Sequence, residues 1–398
     1  MQNSMEHMTE MFDILRASLF TDEDLPISDW QPVFEEMKLQ SVAALPGVWL
    51  KKHLKVEPWL AYCNTNIGIW VRLMYAQDQL LNLLESHGIP CVIIKGAAAA
   101  MAYPHPGLRT MGDVDFLVKR SDFERTAALL EENGYVLTRE KNKLPHHDSY
   151  AKNNISFELH KRLPVVSESN EALIALFEKG IDMREWHETA GHKFPVLPVA
   201  LNGLVLIFHI NQHLRDGIGL RQIIDWMMYV NSRSAEEWQE LLPLLEHMGM
   251  TRFARTVTVM CQRYFGLREI VEADASLPVD ELMNFILEEG NFGQKAGLDG
   301  RITSFALSGT EKGGFFKRLQ VRGMKRWKAA QKYPVLRPFE WIYQGIWIFG
   351  ALLRNRKSPI AILKQARRGT QLRQLLELLD LNIETTISRH YSNHQNAR

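Results

Sequence analysis

The chain has 398 residues, enough to bury a sizeable core and to form two or three domains. It is 46% hydrophobic and 23% charged, with no low-complexity tract and no repeat, which excludes a disordered or fibrous chain. The net charge of +1 hides an asymmetry: residues 312–373 carry 16 Lys and Arg against the one acid Glu340, leaving 31 basic and 45 acidic residues elsewhere.

Cys63, Cys91 and Cys261 are odd in number, far apart and set in apolar surroundings. That pattern predicts reduced core thiols in a cytoplasmic protein rather than disulfides or a metal cage. The first twenty residues carry acids where a signal peptide is basic, so export is not expected. The longest uncharged apolar run, Trp341 to Leu353, spans 13 residues. A bilayer needs about 18–20, so no integral membrane segment is expected.

Residues 1 to about 58 read as short helices broken at Pro26, Pro32, Pro46 and Pro58. A long helical pattern follows from about Leu60 to His87, with Ile67, Val71, Met74, Leu80, Leu81 and Leu84 on its apolar stripe and Gly88 as its stop. Residues 89–94, IPCVII, form a short buried strand bounded by Lys95-Gly96. The stretch AAAAMAY then starts a short helix at that glycine, where free backbone N–H groups suit a phosphate.

Residues 105–112 read as a loop and Asp113 to Val118 as a second strand. Side chains alternate along a strand, so Asp113, Asp115 and Leu117 share one face and Val114, Phe116 and Val118 the other. Ser121 with Glu124 predicts a capping box for a helix through Leu130, ended by Asn133-Gly134. Tyr135 to Arg139 is a third strand, KNKLPHHDSY a polar loop, and Asn154 to His160 a fourth strand with Glu158 on its polar face. After Pro164 the pattern turns helical to about Leu307, and includes an apolar segment carrying His209, His213, Arg221 and Asp225.

Two aspartates on one face of a buried strand repel and are costly to bury without a cation. Mg²⁺ or Mn²⁺ removes that cost, and Asp113, Asp115 and Glu158 supply the three carboxylates that a two-metal site needs. The plain alternative is a solvated strand end. Arg109, four residues before Asp113, suits a triphosphate; its plain alternative is an exposed loop arginine. His146, His147 and Asp148 suggest metal ligation but fall in the polar loop without other ligands at useful spacing, so a surface loop is expected. His209 and His213 have the spacing of a zinc-protease helix, but Ile210 stands where that chemistry needs Glu. They are read as paired interhelical histidines or as substrate contacts. Arg221 and Asp225, also four apart, suit an ion pair.

The basic tail interleaves aromatic and basic residues, in GFFKRLQVRGMKRWKAAQKYP and WIYQGIWIFGALLRNRK. This fits an interfacial helix on an anionic membrane, a polyanion contact, or a helix packed on the core with a solvated basic face.

Residues 80–230 resemble the uncharacterised nucleotidyltransferase family of the polymerase-β-type nucleotidyltransferase superfamily. The resemblance is carried by IIKGA at 93–97, LRTMGDVDFLV at 108–118, FELH at 157–160 and the set His209, His213, Arg221 and Asp225. It implies a mixed sheet with flanking helices, nucleotide contacts from Lys95, Gly96, Arg109 and Gly112, and Mg²⁺ on Asp113, Asp115 and Glu158. In that picture Glu158 also takes a proton from an acceptor hydroxyl. His160, His209, His213, Arg221 and Asp225 are candidate substrate contacts. The superfamily often has Gly-Ser or Gly-Gly where this chain has Gly96-Ala97, which removes a hydroxyl contact.

The expectation is therefore an α+β protein: a helical cap at 1–75, a small mixed-sheet core at 76–165, a helical domain at 166–310 and a basic helical extension at 311–398. Its expected activity is metal-dependent transfer of a nucleoside monophosphate from an NTP to an acceptor, which could be a small molecule, glycan, peptide or tRNA, with release of pyrophosphate. The expected location is cytoplasmic, with a peripheral anionic-membrane contact through residues 312–373. The rival expectation is a non-catalytic nucleotide-binding or membrane-docked accessory protein of surface-polysaccharide or modified-peptide synthesis. A tRNA-modifying toxin would keep the chemistry and change the acceptor.

Overall fold

The structure, a computed structural model, describes residues 2–138, 146–164, 166–293, 295, 327–340, 342, 343, 346 and 359–381. Of the basic 312–373 stretch, to which the expected membrane contact belongs, residues 312–326, 341, 344, 345 and 347–358 lie outside the described residues. No helix among those described is long and apolar enough to cross a membrane.

The centre is a seven-stranded mixed sheet in the order β3-β4-β5-β2-β1-β7-β6. The strands are β1 (Cys91–Ile93), β2 (Asp113–Val118), β3 (Val136–Leu137), β4 (His147–Lys152), β5 (Ile155–His160), β6 (Glu185–Thr189) and β7 (His192–Val196). β2 runs antiparallel to β1 and parallel to β5. Helices α1 (Gln2–Arg16), α2 (Trp30–Leu39), α3 (Gly47–Lys52) and α4 (Glu57–Ser86) precede β1. Then come α5 (Gly96–Ala100), α6 (Phe123–Glu132), α7 (Glu171–Asp182), α8 (Val199–Asp216), α9 (Leu220–Asn231), α10 (Ala235–His247), α11 (Thr251–Phe265) and α12 (Val279–Glu289).

Strand alternation divides the apolar side chains between the two faces of the sheet. Cys91, Ile93, Val114, Phe116, Val118, Phe157 and Leu159 pack with α4 and α6 on one side. Val92, Ile94 and Leu117 join the larger core on the other side, with side chains from the N-terminal helices and from α7 to α12. Asp113 and Asp115 therefore project from the Leu117 face, as alternation predicts.

Four local expectations are corrected. The apolar stripe of α4 is rotated: Met74, Leu80, Leu81 and Leu84 are buried with Trp70 and Leu73, whereas Ile67 and Val71 are exposed. Pro32 and Pro58 lie in the first turns of α2 and α4, where a missing N–H costs nothing, so they open helices rather than break them. Ser121 does not cap α6: it sits in a 3₁₀ turn, Arg120–Asp122, and Asp122 at the N-cap makes no side-chain capping bond. The polar segment before Asn154 is not all loop, because His147 to Lys152 is β4, paired antiparallel with β5.

The stretch after Pro164 is also not wholly helical. β6 and β7 form a hairpin, and Ile93 of β1 pairs in parallel with Val196 of β7, so the sheet extends past the four expected strands. Ala190 and Gly191, at φ of 50° and 82°, make the two-residue turn that matches strand twist. Asn153 and Asn154, at 52° and 60°, do the same between β4 and β5.

Candidate active site

β1 ends in a tight turn in which Lys95 takes φ 54° and ψ −133°, a region normally left to glycine, before Gly96 at φ 22° opens α5. A Cβ on Gly96 would meet Met111 Cε at 3.3 Å, so this turn packs tightly under the loop that leads into β2. Because β1 and β2 are antiparallel, the end of β1 lies beside the start of β2, and Ile94 N–H donates to Asp115 O at 3.0 Å. The turn therefore carries the Lys95 ammonium to the aspartates.

In the β2–β5 ladder Asp115 is directly opposite Glu158. Asp113, Asp115 and Glu158 each bring one oxygen to a common place, all within 4.8 Å of one another. Lys95 Nζ donates to Asp115 Oδ1 at 2.8 Å and stands 4.0 Å from Glu158 Oε2. His160, fully buried, places Nε2 2.9 Å from Asp115 Oδ1 and 3.3 Å from Glu158 Oε2. It thus supports the carboxylates from beneath.

The electrostatics separate the three acids. Burial raises the carboxyl of Asp115, but Lys95 and His160 outweigh it and hold the group below its ordinary value. Glu158 follows the same logic: burial opposes ionisation, and the His160 hydrogen bond and Lys95 overcome it, so its pKa is lowered. Asp113 makes no ion pair among the described residues; burial, then Asp115 and Glu158, push it up to about 7. A half-buried carboxyl whose ionisation is opposed by desolvation and by two neighbouring carboxylates is the arrangement that a divalent cation relieves. The donor set fits Mg²⁺ or Mn²⁺, which prefer carboxylate oxygens.

Arg109 departs from the phosphate role expected of it. It is 2% exposed, and its Nε and Nη2 donate to Asp225 Oδ1 and Oδ2, both at 2.6 Å. The Tyr103 hydroxyl adds a third bond to Asp225, at 2.7 Å. Asp225 is thereby occupied by Arg109 and not by Arg221, and the expected i,i+4 pair does not form. Arg221 instead donates through Nη1 to Thr110 O at 3.2 Å, beside Asp113, with no carboxylate in salt-bridge range among the described residues. Burial lowers its pKa, as does the nearby Arg109. Gly112 precedes Asp113 with open space where a Cβ would stand, so packing within the protein does not demand glycine there.

His209 and His213 are buried on α8 with their Nε2 atoms 2.9 Å apart. Burial lowers both pKa values, that of His213 to about 3, and Arg221 and Lys95 act in the same direction. They are neutral histidines near the cationic side of the site.

His147 does not lie in the surface loop that its polar surroundings predict. β4 instead places it opposite His160, 7% exposed, with Nε2 3.6 Å from Glu158 Oε1. Burial and His160 push it down to about 4. The sequence signal for this strand is Asn153-Asn154, a pair that tolerates the positive φ of a two-residue hairpin turn.

A family model described as an uncharacterised nucleotidyltransferase matches residues 29–266. No curated protein matches the chain. Among solved structures, an antigenic nucleotidyltransferase-like protein from Paracoccidioides brasiliensis is 17% identical, with a TM-score of 0.29, over 49% of this chain and 96% of that one. The family match spans more than half of the chain. The chain belongs to the uncharacterised nucleotidyltransferase family.

Proposed function

We propose that the protein transfers a nucleoside monophosphate from an NTP to an acceptor, with release of pyrophosphate, and that Asp113, Asp115 and Glu158 hold the divalent cation this requires. The observation that carries the reading is the meeting of these three carboxylates within 4.8 Å on one sheet face. When bound, the cation neutralises charge on the triphosphate and on the attacking oxygen.

The chain's own groups then divide the work. Lys95 fixes Asp115 and, at the edge of the site, supplies a cation for phosphate oxygens. Arg221 replaces Arg109 as the triphosphate arginine, since it lies beside the Thr110–Asp113 segment and has no acid partner in range among the described residues. Arg109 and Asp225 act as positioning residues that hold that segment against α9. Glu158 is assigned as a metal ligand rather than a general base, because a carboxylate held ionised by His160 and Lys95 is a poor proton acceptor near neutral pH. Open space at Gly112 leaves room for substrate to approach Asp113.

The test is transfer of α-labelled nucleotide, assayed with each NTP, Mg²⁺ or Mn²⁺, and small-molecule, glycan, peptide and tRNA acceptors. Wild type should label one acceptor class, and Asp115→Asn should lose at least about a hundredfold in rate, the scale of removing one charge-stabilising group. Labelling by Asp115→Asn at the wild-type rate would overturn the assignment.

A further inference from the structure

Beside the three carboxylates, the same sheet face carries a second donor set of different chemistry. His147 on β4 and Glu158 and His160 on β5 each bring one ligand atom within 4.8 Å of the other two. His147 lies directly opposite His160 in the ladder, so both imidazoles emerge on the Glu158 side. His147 Nε2 is 3.6 Å from Glu158 Oε1, and His160 Nε2 is 3.3 Å from Glu158 Oε2. A tetrahedral ion with bonds of about 2.0–2.1 Å keeps its ligands roughly 3.4 Å apart. The two imidazole–carboxylate spacings, one to each oxygen of Glu158, lie close to that value.

A second observation points the same way. His147 is buried to 7% exposure, and among the described residues neither of its ring nitrogens has a hydrogen-bond partner. The 3.6 Å approach to Glu158 is too long to be one. Buried polar groups are nearly always satisfied, so an unpartnered imidazole aimed at a carboxylate and a second imidazole asks for a ligand.

We propose that His147, Glu158 and His160 form a binding site for a first-row transition ion of the zinc type, distinct in its donor set from the all-carboxylate site but sharing Glu158 with it and using the His160 Nε2 that otherwise bonds Asp115. Two imidazoles and one carboxylate favour Zn²⁺ and its neighbours, while Mg²⁺ requires oxygen ligands and sheds water reluctantly. The ion takes the place of the proton that His160 Nε2 shares with Asp115 and Glu158; an imidazolium gives that proton to solvent, and a neutral ring moves it to Nδ1. Since Glu158 belongs to both donor sets, occupancy of this site changes the ligand supply of the other.

The experiment uses the full-length protein, stripped with a chelator and freed of it, and titrated with Co²⁺ while d–d absorption is followed. In millimolar Mg²⁺, which occupies the carboxylate site, one equivalent should bind with visible bands and be displaced by Zn²⁺. Asp113→Asn, which leaves all three ligands in place, should bind Co²⁺ like wild type, while His147→Ala should weaken binding at least tenfold. His147→Gln is the second variant should the alanine variant fail to fold. Absence of bands, displacement by Mg²⁺, or wild-type affinity in a folded His147 variant would overturn the proposal. Because the readout is spectroscopic, its failure is distinct from failure of nucleotidyl transfer, which is read by label in the acceptor.

Discussion

Arg109 and Asp225, 116 residues apart in sequence, meet in a buried two-pronged ion pair whose contacts are both 2.6 Å. This joins the loop before β2 to helix α9 and fixes the approach to Asp113. Removing one partner of such a pair leaves an uncompensated buried charge, which costs about 3–5 kcal/mol. Arg109→Leu and Asp225→Asn should each destabilise on that scale, and the double variant should lose clearly less than the sum. Urea unfolding of the four proteins gives the coupling; additive losses would show that the pair does not act as a unit.

Asp113 makes the metal-free protein sensitive to pH. Its folded pKa, about 7, lies above the ordinary carboxylate value, so folding favours the protonated form. Stability from this group is present below about pH 4 and is lost as pH rises to about 7. The three-unit difference corresponds to roughly 4 kcal/mol. With a chelator present, Asp113→Asn should be more stable than wild type at pH 7.5 and close to it at pH 4, and Mg²⁺ should shrink the gap. Denaturant midpoints across that range check the sign.

Lys95 does the opposite for Asp115. Its ammonium compensates a carboxylate that is 4% exposed, while its backbone holds a glycine-like conformation. Lys95→Met should destabilise the chelator-treated protein by about 3 kcal/mol, the scale of an orphaned buried charge. Mg²⁺ should recover part of that loss, since a cation then stands where the ammonium did. Thermal melts with and without Mg²⁺ read the recovery.

Burial should make the thiols slow to react. All three cysteines are free and buried, and burial pushes Cys63 and Cys91 up to about 12 and raises Cys261 as well. A rise from about 8.5 to 12 lowers the thiolate fraction at pH 8 by roughly three orders of magnitude. A maleimide should therefore label native protein slowly and all three sites after denaturation; fast native labelling would place a thiol at the surface.

Much of this site could be read before the fold. Asp113 and Asp115 share a face because strands alternate, and Glu158 joins them because β5 shows its own apolar alternation. His147 could not be found that way. Residues 147–152, HDSYAK, have no apolar period, and only pairing with β5 makes them a strand. The β6–β7 hairpin was hidden similarly, in the polar strings EWHET and HKFPV, with Ala190-Gly191 as its one local cue. The partner of Arg109, Asp225, lies 116 residues along the chain and is not legible from local sequence. A guanidinium near an aspartate pair suits phosphate until a distant carboxylate claims it.

The account's central claim is that Asp113, Asp115 and Glu158 together bind a divalent cation with a nucleoside triphosphate. Calorimetric titration with an NTP analogue whose α–β bridge is a methylene group tests it most directly, with and without Mg²⁺, in wild type and in the Asp113→Asn, Asp115→Asn double variant. The account predicts binding that depends on Mg²⁺ in wild type and loses that dependence in the double variant. Equal affinity in both proteins, with or without Mg²⁺, would contradict it.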